Sequence, residues 1–367
     1  MKKTIIAASL SMLAFNSTGV FAQVTPKKGD LEVVAALDIR PGNVTVADDG
    51  RIFATIHPLD RPSNWRLIEI TGKTSWKAWP DESWQKTDGQ SLSHQIDTPL
   101  GITRDAQNRL WLVDMGLNSG KTRLLSFDIK SGKHLMTIEL NETIAPRGSF
   151  IQDLVVDAHG GWIYLADISD PGLITVNIAT QKASRFSGHA ALQSETSAVM
   201  HIDGQDTMFN GKPASVAVNP ITLSADGKKL FFGAMNGNTW YEIDTNYLQK
   251  ADEKAIAQNI HAMGKKPVSD GAAISAQGRH YFTSLNNNGV DMMDSKGESI
   301  PLVRSALLDW PDSVQFGDKH WLYISANQLH RTAAFTGTVD KGEPPYRILR
   351  VWTDDTQPFT ADKVNGH

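Results

Sequence analysis

Cysteine is absent from this chain of 367 residues, so no disulfide braces it and no thiol nucleophile is available. Stability must come from buried surface, and a chain of this length can supply a large core. Beyond the N-terminus no apolar run reaches the roughly 20 residues that a helical membrane span requires. Basic clusters are missing too, as are basic stripes interleaved with aromatics, so nucleic acid is not an expected partner. There is no His-Glu-x-x-His, no Gly-x-Ser-x-Gly and no Gly-x-Gly-x-x-Gly. Gly72-Lys73-Thr74 imitates the end of a phosphate-binding loop, but Leu67 stands where that loop needs its first glycine. The 11 histidines are scattered without metal-ligand spacing.

Residues 1–22 read as an export signal. Lys2-Lys3 gives a charged start, Thr4 to Phe15 a short apolar run, and Val20-Phe21-Ala22 a cleavage site before Gln23. Removal of Lys2 and Lys3 leaves 34 basic against 40 acidic residues, a formal charge of −6. The signal and the missing cysteines together predict a bacterial periplasmic or secreted protein. Residues 23–367 show no linker or composition shift, which predicts one domain without membrane insertion.

What is present is a repeat. Leu100 to Gly116, LGITRDAQNRLWLVDMG, reads as two short strands around the polar turn Asp105-Ala106-Gln107-Asn108. Related phrases begin at Gly42, Asp153, Asn219, Asp270 and Asp312, so that the six starts are spaced by 58, 53, 66, 51 and 42 residues. Propeller blades repeat every 40–50 residues or so, and insertions lengthen them. One hairpin cannot bury enough surface to stand alone. Six of them, each followed by further strand candidates, predict an all-β, six-bladed propeller of four-stranded antiparallel blades.

Those further candidates are Trp65 to Ile70 and Ser75 to Trp79 in the first unit, Leu124 to Asp128 and His134 to Leu140 in the second, and Leu173 to Ile178 and Lys182 to Phe186 in the third. The fourth has Thr239 to Ile243 and then Ala251 to Met263, whose apolar spacing suits a short helix. Gly289 to Met293 and Ser299 to Val303 complete the fifth. The sixth, ending with Tyr346 to Trp352, is one strand short. Leu31 to Ile39 is the spare, and a ring closed by this N-terminal strand leaves no open edge. Ser187 to Lys212 reads as a polar insertion on one face and a candidate docking loop for a protein partner.

In a propeller the first strand of each hairpin lines the central channel. Its start and the exit of the second strand share one end, so Asn43, Asp153, Asn219, Asp270 and Asp312 should converge near one mouth. His57, Asp114, Asp167, Asn236, Asn286 and Asn327 should lie nearby. Asn43, His57, Asp114, Asp167, Asn286 and Asp312 are the candidate ligand-binding residues for a small molecule. Short oxygen side chains converging on an axis also suit Ca²⁺ or another divalent cation. Turns such as Asp48-Asp49-Gly50 and Ala225-Asp226-Gly227 serve the hairpins at the opposite end. Trp65, Trp76, Trp79 and Trp84 crowd the first unit, and packing between blades is the expected use.

The order of phrases resembles the yellow/major royal jelly protein family over most of the mature chain. IRPGNVTVADDGRIFATIHPLDRP looks like its first blade, RLWLVDMG its second and DLVVDAHGGWIYLADIS its third. ITLSADGKKLFFGAMN, GKKPVSDGAAISAQGRHYFTSLNNNGV and DWPDSVQFGDKHWLYISANQL follow in order. The resemblance implies a secreted six-bladed propeller. Insect members are linked to pigment chemistry, larval nutrition and binding of small amines or sterols. A more distant likeness is to the regucalcin/gluconolactonase superfamily, metal-dependent lactone hydrolases with an axial cation. That likeness implies Asn219 and Asp270 as ligands, with Asp153 at the corresponding start in the third blade. The family's first-blade glutamate is missing, since the local sequence is Pro41-Gly42-Asn43.

Overall fold

The computed structural model describes residues 25–60, 63–85, 94–157 and 161–358, and the export signal lies outside them. Six four-stranded antiparallel sheets follow one another along the chain, and the first five are built in sequence order from the inside outward. The inner strands are Pro41–Val46, Pro99–Arg104, Ile151–Val156, Val218–Leu223, Ala272–Ile274 and Pro311–Phe316. Each packs against the inner strand of the next blade, and the sixth packs against the first. The fold is therefore a six-bladed propeller.

The sixth blade takes its outermost strand from the other end of the chain. Leu31–Leu37 runs antiparallel to Tyr346–Trp352, with Leu31 opposite Val351 and Leu37 opposite Tyr346. The fourth blade departs from the sequence reading. Its helical part begins earlier, as Thr245–Lys250 followed by Glu253–Gln258, and His261–Lys265 is a strand that completes the sheet. The apolar spacing of Ala255, Ile256 and Ile260 is real, but only Ile256 is buried on the second helix. The strand after it is polar and exposed, as an outermost strand can be.

The core is divided between the blades. Six apolar clusters fill the six gaps between neighbouring sheets, because each sheet has two faces and both must be covered. Trp111, Trp240, Phe53, Phe127, Tyr164 and Tyr281 are among the largest wholly buried side chains there. The tryptophans of the first blade belong to this packing. Trp79 meets Phe53 and Phe127 edge-on at 4.9 and 5.5 Å, and Trp65 meets Trp76 at 5.2 Å.

A seventh apolar cluster lies outside the blades. Ala198, Met200 and Ile202 from the insertion gather with Val268, Leu285, Trp310 and Leu329 from the loops at the strand-start end of the channel. The insertion is locally ordered by two tight hairpins, His201–Ile202 with Gln205–Asp206 and Met208–Phe209 with Lys212–Pro213. It covers that end of the channel.

Candidate functional site

The ladder between inner and second strands carries one extra inner residue near the channel in five blades. Such bulges bend a strand and re-aim its side chains. They leave two special positions per blade. The first holds Gly42, Leu100, Gln152, Asn219 and, in the sixth blade, Asp312. The second holds Asn43, Gly101, Asp153, Pro220 and Ser313. In the fifth blade the ladder starts at Ala272, just after Asp270 and Gly271. Glycine is required where neighbouring strands close on the axis: a Cβ on Gly101 would lie 2.7 Å from the Gln152 carbonyl oxygen, and one on Gly271 would lie 2.5 Å from that of Asp312. Second-strand hydroxyls take up the freed amides. Thr55 accepts from the Asn43 amide at 3.0 Å, and Thr283 accepts from those of Asp270 and Gly271 at 2.9 and 3.0 Å.

The first ring is a buried carboxyl–amide network. Gln152 Nε2 donates to Asp270 Oδ1 and, at 3.1 Å, to Asp312 Oδ1. Asn219 Nδ2 donates to Asp270 Oδ1 at 2.6 Å, and the Trp310 indole donates to Asp270 Oδ2 at 2.7 Å. Asn327 Nδ2 donates to Asp312 Oδ2 and to the Pro41 carbonyl oxygen. His57 Nε2 lies 3.9 Å from Asp312 Oδ2, while its Nδ1 accepts from the Leu59 amide. Nε2 therefore carries the proton of a neutral ring, and burial followed by the charge of Arg40 pushes the His57 pKa down to about 3.

One position along the channel, Asn43 Nδ2 donates to Asp153 Oδ1 at 2.6 Å. Burial is the main force on all three acids. It raises Asp153 to about 8 and Asp312 to about 7, and it raises Asp270 well above the carboxylate range with further help from the charge of Asp312. Not every polar atom in this region is paired, and His57 Nε2 is one that is not. Asn43 Oδ1, Asn219 Oδ1 and Asn327 Oδ1 are buried and have no hydrogen-bond partner. Lys266 is also buried, and burial lowers its pKa to about 7, yet its ammonium donates to the carbonyl oxygens of Gly237 and Pro267 rather than to a carboxylate.

The two ends of the channel differ. At the strand-start end, Trp310 is wholly buried, roofs Asp270, and is itself stacked by His330 at 6.0 Å beneath the insertion. Asn219, Asp270 and Asp312 are wholly buried as a result. Toward the turn end a cavity of about 100 Å³ opens, touched by all six blades. Asn43 and Asp153 are at its inner end, Thr103, Thr222 and Gln315 are on its walls, and Arg104 is at its rim.

Of the predicted residues, Asn43, Asp153, Asn219, Asp270 and Asp312 come together, with His57 beside them. Asp114, Asp167 and Asn286 do not join. Asp114 accepts from the amides of Asp97 and Thr98 at 3.0 and 2.7 Å and pairs with Arg123. Asp167 accepts from Ser149 Oγ and the Phe150 amide and pairs with Arg185 at 3.1 Å. Both residues tie the loop entering their blade to its hairpin exit. Exposed Asn286 clasps the insertion, accepting from the His201 amide and donating to the Val199 carbonyl oxygen. The metal candidates divide between the two rings. Asp270 is occupied by Gln152, Asn219 and Trp310, Asp153 sits in the other ring with Asn43, and Gly42 offers no ligand. Among the described residues no group of three or more His, Asp or Glu could hold an ion. Sequence reasoning missed Gln152 and Trp310. Aligning Leu154 with Val44, Ile102 and Ile221 would have placed Gln152, not Asp153, opposite Asn219.

Fold and site together define a six-bladed propeller with a polar axial channel, closed at one end. A sequence profile of the major royal jelly protein family matches residues 98–358, and the chain belongs to that family. It is 25% identical over 312 residues to major royal jelly protein 9 of Apis mellifera, covering 77% of this chain and 70% of that one. Among solved structures it is similar to a gluconolactonase from Xanthomonas campestris, at TM-score 0.53 and 12% identity over 88% of this chain and 89% of that one. A luciferin-regenerating enzyme is similar at TM-score 0.53 and 13% identity over 90% and 97%. At such identities these two likenesses speak to the fold alone.

Proposed function

We propose that this protein binds a small organic molecule in the axial channel, held through an amine or other hydrogen-bond-donating group at Asp153 and Asn43. The observation that carries this reading is the inner end of the cavity. There a carboxyl with no ion pair among the described residues stands beside an amide oxygen with no partner, on walls that mix threonine and glutamine with aliphatic side chains. A donor or cation brought by a ligand would satisfy both oxygens and favour the ionised form of Asp153. Entry is from the turn end, because the insertion and Trp310 roof the other.

The test is a thermal-shift screen of amines, indoles, lactones and sugars, repeated on Asp153→Asn. A ligand present at about 100 times its Kd stabilises by roughly 2.7 kcal/mol. For a cationic amine, each pH unit below about 8 should weaken binding up to about tenfold, since Asp153 must give up its proton. No stabilisation by any class, or binding to Asp153→Asn with unchanged affinity and pH profile, would end the proposal.

Export belongs to the same reading and rests on the composition of residues 1–22. Sequencing the N-terminus of protein recovered from outside the cytoplasm should begin at Gln23, and a chain still starting at Met1 would contradict it.

A further inference from the structure

After the strand Tyr346–Trp352 the described chain stays on the propeller as far as Pro358. We propose that Thr353–Pro358 is a strap across the turn-end entrance of the channel, and that its tip, Gln357, latches on Arg104 to control access. The proposal rests on the entrance assigned above. Its test uses no ligand, so its failure and that of the small-molecule reading are told apart.

The root of the strap is held on the fifth and sixth blades. Thr353 donates through its amide and Oγ1 to the His320 carbonyl oxygen at 3.0 and 2.8 Å. Asp355 accepts from Tyr281 Oη at 2.7 Å and pairs with Arg279 at 3.0 Å. Thr356 is paired through its backbone on both sides, accepting from the Ala276 amide at 2.9 Å and donating to Gln277 Oε1 at 3.1 Å. Thr353 and Asp355 are buried.

The tip is held differently. Gln357 and Pro358 line the cavity together with residues of all six blades. Gln357 Oε1 accepts from an Arg104 guanidinium nitrogen at 2.9 Å, on the second blade and so across the channel from the root. Arg104 is itself fixed. Its Nε donates to the Val46 carbonyl oxygen at 3.1 Å, and it pairs with Asp48 at 2.7 Å. Beyond a firmly anchored root, Gln357 thus has, among the described residues, a single side-chain bond to a rigid post. Breaking that bond frees the tip and leaves the root in place.

The cysteine-free chain permits a direct measurement. Thr222→Cys places one thiol on the cavity wall, and Ala273→Cys serves as a second position should the first fail to fold. Reaction with a bulky maleimide is timed in the intact chain, in the Gln357→Ala background and in a chain ending at Thr356, against an exposed Ser131→Cys control. Slow labelling is expected in the intact chain. Both altered backgrounds should speed it about tenfold or more, as for the loss of a hydrogen bond to a charged group. Equal rates in all three backgrounds, or labelling of the intact chain as fast as the control, would overturn the proposal.

Discussion

Replacing Asp312 by asparagine should change how stability depends on pH far more than it changes stability at acid pH. Asp312 is wholly buried beside Asp270, and burial raises its pKa from the ordinary 3.8 to about 7. A carboxyl whose folded pKa lies above its unfolded value favours folding fully below the unfolded pKa, and that contribution is lost as pH rises through the folded one. Wild-type protein should therefore lose stability between about pH 4 and pH 7. A tenfold change in proton affinity is worth about 1.4 kcal/mol, so the full loss is about 4 kcal/mol, and about 2 if water reaches the ionised form. Asparagine mimics the protonated acid: its oxygen can keep the hydrogen bond from Gln152, and Asn327 can turn its unpartnered Oδ1 toward the new amide. At pH 5 the two proteins should melt within a few degrees of each other. At pH 8 Asp312→Asn should melt higher by roughly 4–8 °C, taking about 2 °C per kcal/mol for a chain of this size. Differential scanning calorimetry from pH 4.5 to 8.5 is the assay. Parallel Tm–pH curves would refute the idea that this acid is forced to ionise in a closed, water-poor site.

Two further outcomes follow from the same geometry. Millimolar Ca²⁺ or Zn²⁺ should leave Tm unchanged, because Asp270 is already taken up by Asn219 and Asp153 by Asn43. A rise of several degrees that Asp270→Ala abolishes would show that the amides yield to an ion. Gly271→Ala should destabilise by about 2–4 kcal/mol, since the new methyl would meet the backbone of Asp312 and Ser313 at 2.5 and 3.0 Å, and backbone cannot step aside as a side chain can. A melting temperature equal to that of the wild type would show that the fifth and sixth inner strands can part.

The blades were legible in the sequence because a hairpin with apolar strands and a Gly or Asn turn is a local object, repeated often enough to be recognised. Tyr346–Trp352 and Leu31–Leu37 could be matched by counting strands. His261–Lys265 could not, since an outermost strand needs little burial and carries no apolar signature. The site was partly legible: Asn43, Asp153, Asn219, Asp270 and Asp312 all reach the axis. Asp114 and Asp167 share their strand-exit position but are claimed by Arg123 and Arg185, partners nine and 18 residues on that no pattern announces. The roof was hidden for another reason. Ala198, Met200 and Ile202 are spread through a polar segment, and only the folded chain brings them onto Trp310.

The last sheet draws on both termini, and this has a bearing on how the molecule comes into being. Leu31 meets a partner about 320 positions away, so a strand made early must wait, unpaired, for one made late. Until then it is a loose ribbon with bare amide and carbonyl groups, open to pairing with a sister chain. A fragment missing either end would carry the same defect permanently, and full-length protein made slowly or at high concentration should be most prone to exchange this strand between copies.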